Sequence, residues 1–282
     1  MDTRRQHTPW YAWTAVAAIV VFCLFPFFWL INVSLKRGPD LSSSSIIPPH
    51  PTLGNYRAIF DNPDFTHALG NSIIVSLVTT ALALSIGSFC AYALARLRFR
   101  GKALLLGGLL SIATFPGIAI AAPLFRLWTT PPLGLPKLYD TLPGLIVPYL
   151  TFALPLTIYI LTSFFKEIPV ELEEAAMTDG ATRFMAFRKV VLPLAVPGMA
   201  TAAILTFIFA WNEFLLATTL TASDKARTVP AAIAFFTGST EFEQPLGSIS
   251  AASVVISVPL IVLVLLFQRR IVAGLTAGGV KG

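Results

Sequence analysis

The chain has 282 residues, of which 55% are hydrophobic and only 12% are charged. Because a soluble domain carries about 25% charged residues, this composition excludes a protein whose surface faces water on all sides. The formal charge of +6 does not indicate nucleic-acid binding, since the basic residues lie in short clusters at the ends of apolar stretches, as anchors at a lipid interface do.

Six apolar stretches are each long enough to cross a bilayer, which takes about 20 residues as a helix. Hydrocarbon offers the backbone no hydrogen-bond partner, so each crossing must be helical. We therefore predict an all-α membrane protein with six transmembrane helices in a single domain of residues 1–282. The predicted spans are residues 10–35, 68–95, 103–126, 141–165, 194–219 and 245–268.

The first predicted span follows Arg4 and Arg5, as the apolar region of a signal peptide would. However, its apolar run is far longer than the roughly 7–15 residues of such a region, and it lacks a convincing cleavage site before Lys36. We expect it to be retained as the first helix. Residues 36–66 follow as a connection rich in serine and proline, which predicts an extended, turn-rich loop.

The distribution of Lys and Arg predicts the orientation. An even number of spans puts both termini on the same side, and if that side is the cytoplasm the inner segments are 1–7, 96–102, 166–189 and 269–282. These segments hold 13 of the 20 Lys and Arg residues. The positive-inside rule therefore favours a multi-pass protein of the cytoplasmic (inner) membrane with both termini in the cytoplasm.

Three polar residues near the membrane boundary are candidates for a substrate pathway: Asn71 at the start of the second span, and Asn212 and Glu213 in the outer part of the fifth. An ionisable group near membrane depth usually faces a cavity or a partner. A helix cap or an interhelical hydrogen bond would also explain Asn71, and exposure to water at the outer interface would also explain Glu213. These alternatives stay open on the sequence alone.

The loop of residues 166–193 is polar and patterned in a very hydrophobic chain. Pro169 suits the start of a helix, and the acids Glu171, Glu173 and Glu174 follow where the helix dipole favours negative charge. Gly180 is expected to end this helix, because glycine readily adopts the left-handed conformation. The pattern predicts a short helix with an acidic edge.

A second short helix is expected from about Thr182 to Val190, with Leu192-Pro193 closing it. In the first helix, Leu172, Ala175 and Ala176 share one small apolar stripe. The pair would lie on the inner face of the membrane as a thin helix–turn–helix able to enter a groove. An interfacial helix without a protein partner is the alternative, but such helices usually carry Lys and Arg on their polar face.

The residues of this loop form a known signature. It consists of Glu174-Ala175-Ala176, three residues, Gly180, nine residues, and Val190-Val191-Leu192-Pro193. The chain thereby resembles the permeases of ATP-binding-cassette (ABC) importers, and further motifs resemble the carbohydrate-uptake branch, in particular the second, shorter permease of maltose and trehalose importers. Those motifs are Pro51-Thr52-Leu53-Gly54-Asn55-Tyr56, Asn71-Ser72, Asp179-Gly180-Ala181, Trp211-Asn212-Glu213-Phe214 and the tail from Gly274 to Gly282.

The resemblance implies a type I importer architecture with a division of labour. A cytoplasmic ATPase dimer would bind the loop, a sister permease would supply the other half of the pathway, and an extracytoplasmic sugar-binding protein would deliver the sugar. ATP and Mg would bind the partner ATPase, whereas this chain would bind no cofactor and catalyse no reaction. The implied ATPase-coupling residues are Glu171, Glu174, Ala175, Ala176, Asp179, Gly180, Arg188, Leu192 and Pro193.

Within that set, Glu174 would pair with a basic residue of the ATPase, and Gly180 would set the angle between the two short helices. The cytoplasmic tail of residues 269–282 resembles a segment that reaches the ATPase dimer. The outer loop of residues 224–243 resembles one that probes the pocket of the binding protein.

Two rival functions are weaker on the sequence. An ion-coupled secondary transporter or channel would need buried carboxylates or broken helices at mid-membrane, yet no predicted span contains a central acid. An intramembrane enzyme would need a nucleophile–base pair or a metal cluster, and His7, His50 and His67 are scattered along the chain. Gly101-Lys102 lacks the upstream glycine of a nucleotide-binding P-loop.

Overall fold

The computed structural model describes residues 10–236 and 245–277, with side chains from 11 to 236 and from 245 to 268. The described residues form helices and contain no strand. The helices are α1 (Trp10–Ser34), α2 (Gly54–Asp61), α3 (Pro63–Arg96), α4 (Lys102–Ala113), α5 (Gly117–Thr129), α6 (Leu142–Glu167), α7 (Val170–Thr178), α8 (Arg183–Leu194), α9 (Val196–Asn212), α10 (Leu215–Leu220), α11 (Val229–Ala234) and α12 (Leu246–Ala277).

Four of these helices, α1, α3, α6 and α12, are long and apolar enough to cross a membrane. Two further candidates are bent pairs: α4 with α5 at 85°, and α8 with α9 at 74°. By length and composition the described residues therefore hold four spans, or six when each bent pair is one span. The all-α fold expected from the sequence is confirmed.

The third predicted span, residues 103–126, is not one straight helix. Helix α4 ends at Ala113, and α5 begins at Gly117 after Pro116, whose φ/ψ of −67° and 117° are extended. A proline lacks an amide hydrogen and disfavours helical geometry in the residue before it, here Phe115. The proline therefore accounts for the break that an apolar run alone does not predict.

Two further boundaries differ from the predicted ones. The predicted fifth span, 194–219, is divided because α9 ends at Asn212 and α10 begins at Leu215, with Glu213 extended between them. Helix α12 continues to Ala277, so residues 269–277 of the predicted tail are helical, while residues 278–282 lie outside the described residues.

The chain divides into two compact units. The described part of the first comprises residues 10–63, 235–236 and 245–258. The predicted loop 36–66 is not extended throughout, because it contains α2 and the first turn of α3. Asn55 anchors α2 by donating from Nδ2 to the carbonyl oxygens of Ser34 (2.8 Å) and Lys36 (2.9 Å).

The second unit comprises residues 64–234 and 259–277 of the described chain, with α3, α6 and α9 packed around two apolar clusters. Small residues permit close approach, as is common between membrane helices. A Cβ atom at Gly198 of α9 would lie 2.2 Å from Cγ of Phe164 of α6. The hydroxyls of Thr157 and Thr206 also share a buried hydrogen bond of 2.8 Å between these two helices.

Candidate functional site

Helix α7 begins and ends where its sequence indicates. Pro169 precedes its first residue, and Glu171 and Glu173 lie in its first turn. After Thr178 the chain turns through Gly180, whose φ of +93° is left-handed. The N–H of Gly180 donates to the Met177 carbonyl (3.1 Å) and that of Ala181 to the Ala176 carbonyl (3.0 Å). These two bonds form a Schellman motif, which favours glycine at this position.

Helix α8 is capped by Thr182, whose hydroxyl accepts a hydrogen bond of 3.2 Å from the Met185 N–H. The expectation that Leu192-Pro193 closes this helix is wrong. Residues Phe187–Val191 form a π-turn, in which the Leu192 N–H donates to the Phe187 carbonyl, and the helix ends only near Ala195. The wider π-turn lets the chain accommodate Pro193 without a break, and the 74° bend follows two residues later.

The exposure of α7 and α8 separates two faces of the loop. Of the implied coupling residues, Glu171, Glu174, Ala175, Asp179, Gly180, Arg188 and Pro193 are exposed, and Ala176 and Leu192 are half-buried. Large apolar side chains are exposed beside them: Val170, Leu172, Met185 and Phe184, the last at 60%. An exposed surface of mixed acidic and apolar character is typical of a protein-binding site.

The opposite face of α7 is held by an ion pair that sequence reasoning missed. Nε of Arg96, at the end of α3, donates to Oε2 of Glu173 at 3.0 Å, and the two side chains are only 8% and 7% exposed. The hydroxyl of Tyr92 donates to Oε1 of the same carboxylate, and Nη2 of Arg96 donates to the Ile168 carbonyl at 2.9 Å. Glu173 therefore faces inward, while Glu171 and Glu174 face outward.

The helical period offers the one signal that could have identified Glu173. Residues spaced three and four apart share a helix face, and Ala176 and Met177 stand in that relation to Glu173. All three are buried or half-buried, whereas Leu172 and Ala175 of the predicted apolar stripe are exposed. The partner of Glu173, Arg96, lies 77 residues away in the sequence, so no local pattern identifies it.

Phe187 of α8 anchors the second half of the loop. Its ring lies 4.6 Å from that of Tyr92 and 5.5 Å from that of Phe89, both on α3, and 6.2 Å from that of Phe165 on α6. Phe187 is 2% exposed and belongs to a buried cluster with Val191. The π-turn therefore carries the loop into the packed core of the second unit.

A cavity of about 480 Å³ opens beside the ion pair. Its polar lining includes Arg96, Arg98, Lys102, Arg183, Glu173 and Glu174. The cavity places the exposed edge of α7 next to the basic segment 96–102.

At the opposite end of α3, polar side chains hold a second segment, residues 213–229. Asn71 donates from Nδ2 to the carbonyl oxygens of Asp224 (2.8 Å) and Arg227 (3.0 Å). The hydroxyl of Ser72 accepts from the Val229 N–H at 2.8 Å. The predicted substrate residue Asn71 therefore uses its amide nitrogen on the backbone of this segment.

Asp140, just before α6, holds the same segment. Its carboxylate accepts from the N–H groups of Ala222 (2.8 Å) and Ser223 (3.0 Å) and from the Ser223 hydroxyl (2.6 Å). Burial alone would raise the pKa of Asp140, but the hydrogen bonds from Ser223 and Ala222 outweigh it, so the pKa lies below its ordinary value. A hydrogen bond from His67 likewise lowers the pKa of Asp224.

The other two predicted substrate residues flank the break after α9. The carboxylate of Glu213 accepts from the N–H groups of Leu216 (2.8 Å) and Ala217 (3.0 Å), which caps α10. Asn212 is exposed and donates from Nδ2 to the Ile208 carbonyl at 2.8 Å. Asn71 and Glu213 therefore bond to backbone groups of the 213–229 segment, whereas Asn212 bonds within α9. Among the described residues, no group of three His, Cys, Asp or Glu side chains could hold a metal ion.

Comparison with known proteins identifies the class. Residues 83–276 match the family model described as "Binding-protein-dependent transport system inner membrane component". The chain is 54% identical over 271 residues to the "Trehalose transport system permease protein SugB" of Mycobacterium tuberculosis, covering 96% of this chain and 97% of that protein. It is 41% identical to the "Trehalose/maltose transport system permease protein MalG" of Thermococcus litoralis, covering 94% of each chain.

A solved structure supports the same fold. The chain matches, with a TM-score of 0.74 and 21% identity, a chain of a "bacterial ABC transporter involved in the import of the acidic polysaccharide alginate", covering 95% of this chain and 99% of that one. The protein belongs to the family of binding-protein-dependent transport system inner membrane components. It is thus a permease, the membrane-embedded transport subunit of an ABC importer, as the signature of the 166–193 loop predicts.

Proposed function

We propose that this permease forms half of the translocation pathway of an ATP-driven sugar importer and that its substrate is an α-linked disaccharide such as trehalose or maltose. The two relatives are a trehalose and a trehalose/maltose transport permease, and both align with this chain over nearly its whole length, which supports the substrate class. The subunit is not the enzyme of the system, and ATP with Mg binds the partner ATPase.

The observation that carries the coupling role is the exposed acidic and apolar face of α7 and α8, on a loop whose other face is buried. Glu171 and Glu174 are available to basic residues of an ATPase, and the exposed Phe184 offers apolar contact. Gly180 fixes the angle between the two helices through its left-handed backbone. Closure of an ATPase dimer on ATP would push on this face, and the loop would carry that motion to α3 and α6.

The proposed assembly has three further partners besides the lipid bilayer: a sister permease, a cytoplasmic ATPase dimer and an extracytoplasmic sugar-binding protein. A solved complex of "bacterial alginate ABC transporter" with an "alginate pentasaccharide-bound periplasmic protein" matches this chain with a TM-score of 0.64 and supports such an arrangement by its fold. The excess of Lys and Arg in the inner segments supports cytoplasmic termini. The 166–193 loop would then face the ATPase. The 224–243 loop, of which residues 237–243 lie outside the described residues, would face the binding protein.

Three polar residues support the proposed substrate pathway. Asn212 would contact sugar hydroxyls directly, since its side chain is exposed beside the helix break at Glu213. Asn71 and Glu213 bond to nearby backbone groups, which supports an indirect contribution through the position of the 213–229 segment.

Affinity purification of the full chain from its native membranes, followed by reconstitution into proteoliposomes, tests the proposal. We expect an ATPase and a second permease to co-purify, and we expect trehalose or maltose, presented by the binding protein, to stimulate ATP hydrolysis above other sugars in a panel. Sugar uptake that persists without any co-purifying ATPase would instead support an ion-coupled carrier. Stimulation by a different sugar alone would refute the substrate assignment and leave the importer assignment intact.

A further inference from the structure

We infer that Tyr92, Arg96 and Glu173 form a fixed joint that transmits the movement of α7 to α3, so that Glu173 and Arg96 are positioning residues for energy coupling. This inference rests on the proposed function of the 166–193 loop. It assigns the two adjacent glutamates to different tasks: Glu174 faces the partner, and Glu173 faces the membrane helices of its own chain.

The geometry of the joint is that of a rigid connection. Glu173 accepts from both Tyr92 and Arg96, so each carboxylate oxygen has its own donor. Arg96 also donates to the Ile168 carbonyl, which lies in the short connection between α6 and α7. One guanidinium therefore links the end of α3, the end of α6 and the first turn of α7. A planar guanidinium fixes direction as well as distance, because its donors have a fixed fork geometry.

Burial makes the joint resistant to opening. The two charged side chains are 8% and 7% exposed, so separating them would leave a largely buried charge without its partner. Tyr92 contributes twice, through its hydroxyl to Glu173 and through its ring to Phe187 on α8. Both helices of the loop are therefore attached to the last turns of α3, and a push on the exposed face cannot rotate α7 without moving α3.

Helix α3 is attached at both ends, so it can carry a movement of the joint to the opposite side of the chain. Residues 71 and 96 are separated by about 38 Å along the helix axis at 1.5 Å per residue. At the far end, Asn71 holds the 213–229 segment by two hydrogen bonds. A displacement of α7 that moves α3 along its length therefore reaches the base of the opposite loop.

The joint is tested in the intact importer complex by the ratio of sugar transported to ATP hydrolysed. We expect Glu173→Gln and Arg96→Met to lower this ratio at least about tenfold while ATP hydrolysis by the complex continues, since each change removes one charge of the pair and leaves the other uncompensated at a largely buried position. Arg100→Met is the matched control: Arg100 lies four residues further along the same basic segment and is exposed, and we expect its ratio to equal that of the wild type.

A double variant, Arg96→Met with Glu173→Met, separates transmission from mere stability. We expect the complex to assemble even if a single variant does not, because removal of both charges leaves no buried charge unpaired. If the pair transmits motion, the double variant assembles and still couples poorly, since apolar contacts lack directional hydrogen bonds. A double variant that couples as well as the wild type would overturn the inference.

Tyr92→Phe keeps the ring and removes only the hydroxyl. This variant therefore tests the joint even if the charge variants fail to assemble. We expect a ratio about threefold lower for this variant, with assembly intact. An unchanged ratio in Tyr92→Phe would contradict the joint. Glu174→Lys tests the coupling role of the loop separately. If only the joint is wrong, this variant still loses sugar uptake; if the loop does not couple to an ATPase at all, uptake is unchanged in this variant too.

Discussion

The two ends of α3 hold two different kinds of structure. At its C-terminal end, Tyr92 and Arg96 contact specific side chains. Both donate to Glu173 of α7, and the Tyr92 ring packs against Phe187 of α8. At its N-terminal end, Asn71 donates hydrogen bonds to backbone carbonyl oxygens of the 213–229 segment. The first, the side-chain attachment, therefore depends on specific side chains of α7 and α8. The second, the backbone attachment, holds mainly backbone groups of the 213–229 segment, with side-chain contacts from His67 to Asp224 and from Asp140 to Ser223.

Removal of the Phe187 ring should give the largest effect on the side-chain attachment. We expect Phe187→Ala to lower the free energy of unfolding by about 3–5 kcal/mol, because the ring is 2% exposed and packs against three aromatic neighbours. Thermal unfolding of the purified chain in detergent measures the change. Phe184→Ala is the matched control: Phe184 lies on the same helix but is 60% exposed, so its loss should cost far less. Equal losses for the two variants would contradict the proposed anchor.

Removal of one carboxylate charge should loosen the backbone attachment. We expect Asp140→Asn to destabilise the chain by about 2 kcal/mol, because three donors lose an ionised acceptor. The amide exchange of Ala222 and Ser223 should accelerate, and exchange in α7 should not. Asp61→Asn, at an exposed position, serves as the control. Protection factors that fall equally in α7 and in the 213–229 segment would indicate global loosening instead.

The left-handed backbone at Gly180 predicts a smaller change in stability, whose direction is opposite to that at a helical glycine. Gly180→Ala should cost about 1–2 kcal/mol, because φ of +93° is unfavourable for a residue with a Cβ atom. Gly108→Ala should do the opposite and stabilise α4 by about 0.5–1 kcal/mol, since Gly108 is helical with open space around its Cβ position. Comparison of the two unfolding temperatures checks the assignment. A stabilising Gly180→Ala would refute the left-handed turn.

The smallest expected effect is that of mild acid on the backbone attachment. The pKa of Asp140 is lowered in the folded chain, so its stabilising contribution is complete above the unfolded pKa of about 3.9 and is lost as the pH falls through the lower folded value. Between pH 5 and pH 8 the amide protection of Ala222 and Ser223, corrected for intrinsic exchange, should therefore stay constant. A loss of protection centred near pH 6 would show that another group controls this attachment.

Local signals in the sequence predict α7 and its turn but not the contacts that position them. Pro169 and Gly180 mark the two ends of α7 because proline and glycine have restricted and permissive backbones, respectively. The π-turn at Phe187–Val191 carries no comparable signal, so Leu192-Pro193 is mistaken for the end of α8. The bend at Pro116 was open to prediction from its proline, yet apolar composition alone indicates one continuous span.

The polar side chains illustrate the same limit. Arg96 reads as one of several interfacial anchors, although the fold places it against Glu173, 77 residues away. Asn71 reads as a cap or a pathway residue, and the backbone it holds lies more than 150 residues further along the chain. Such pairings depend on how the helices pack, which residue spacing does not encode. The family signature therefore predicts the class of protein and the exposed loop, while the attachments emerge only from the fold.

The most direct test of the central claim is the behaviour of the assembled complex when the exposed face of the 166–193 loop is changed. Sugar-stimulated ATP hydrolysis and sugar uptake are measured together for the wild type, for Glu174→Lys, and for Gly180→Pro, whose ring cannot adopt φ of +93°. The account predicts that both variants lose stimulated hydrolysis and uptake by at least about tenfold while the chain remains folded in the membrane. Survival of both activities in both variants would contradict it.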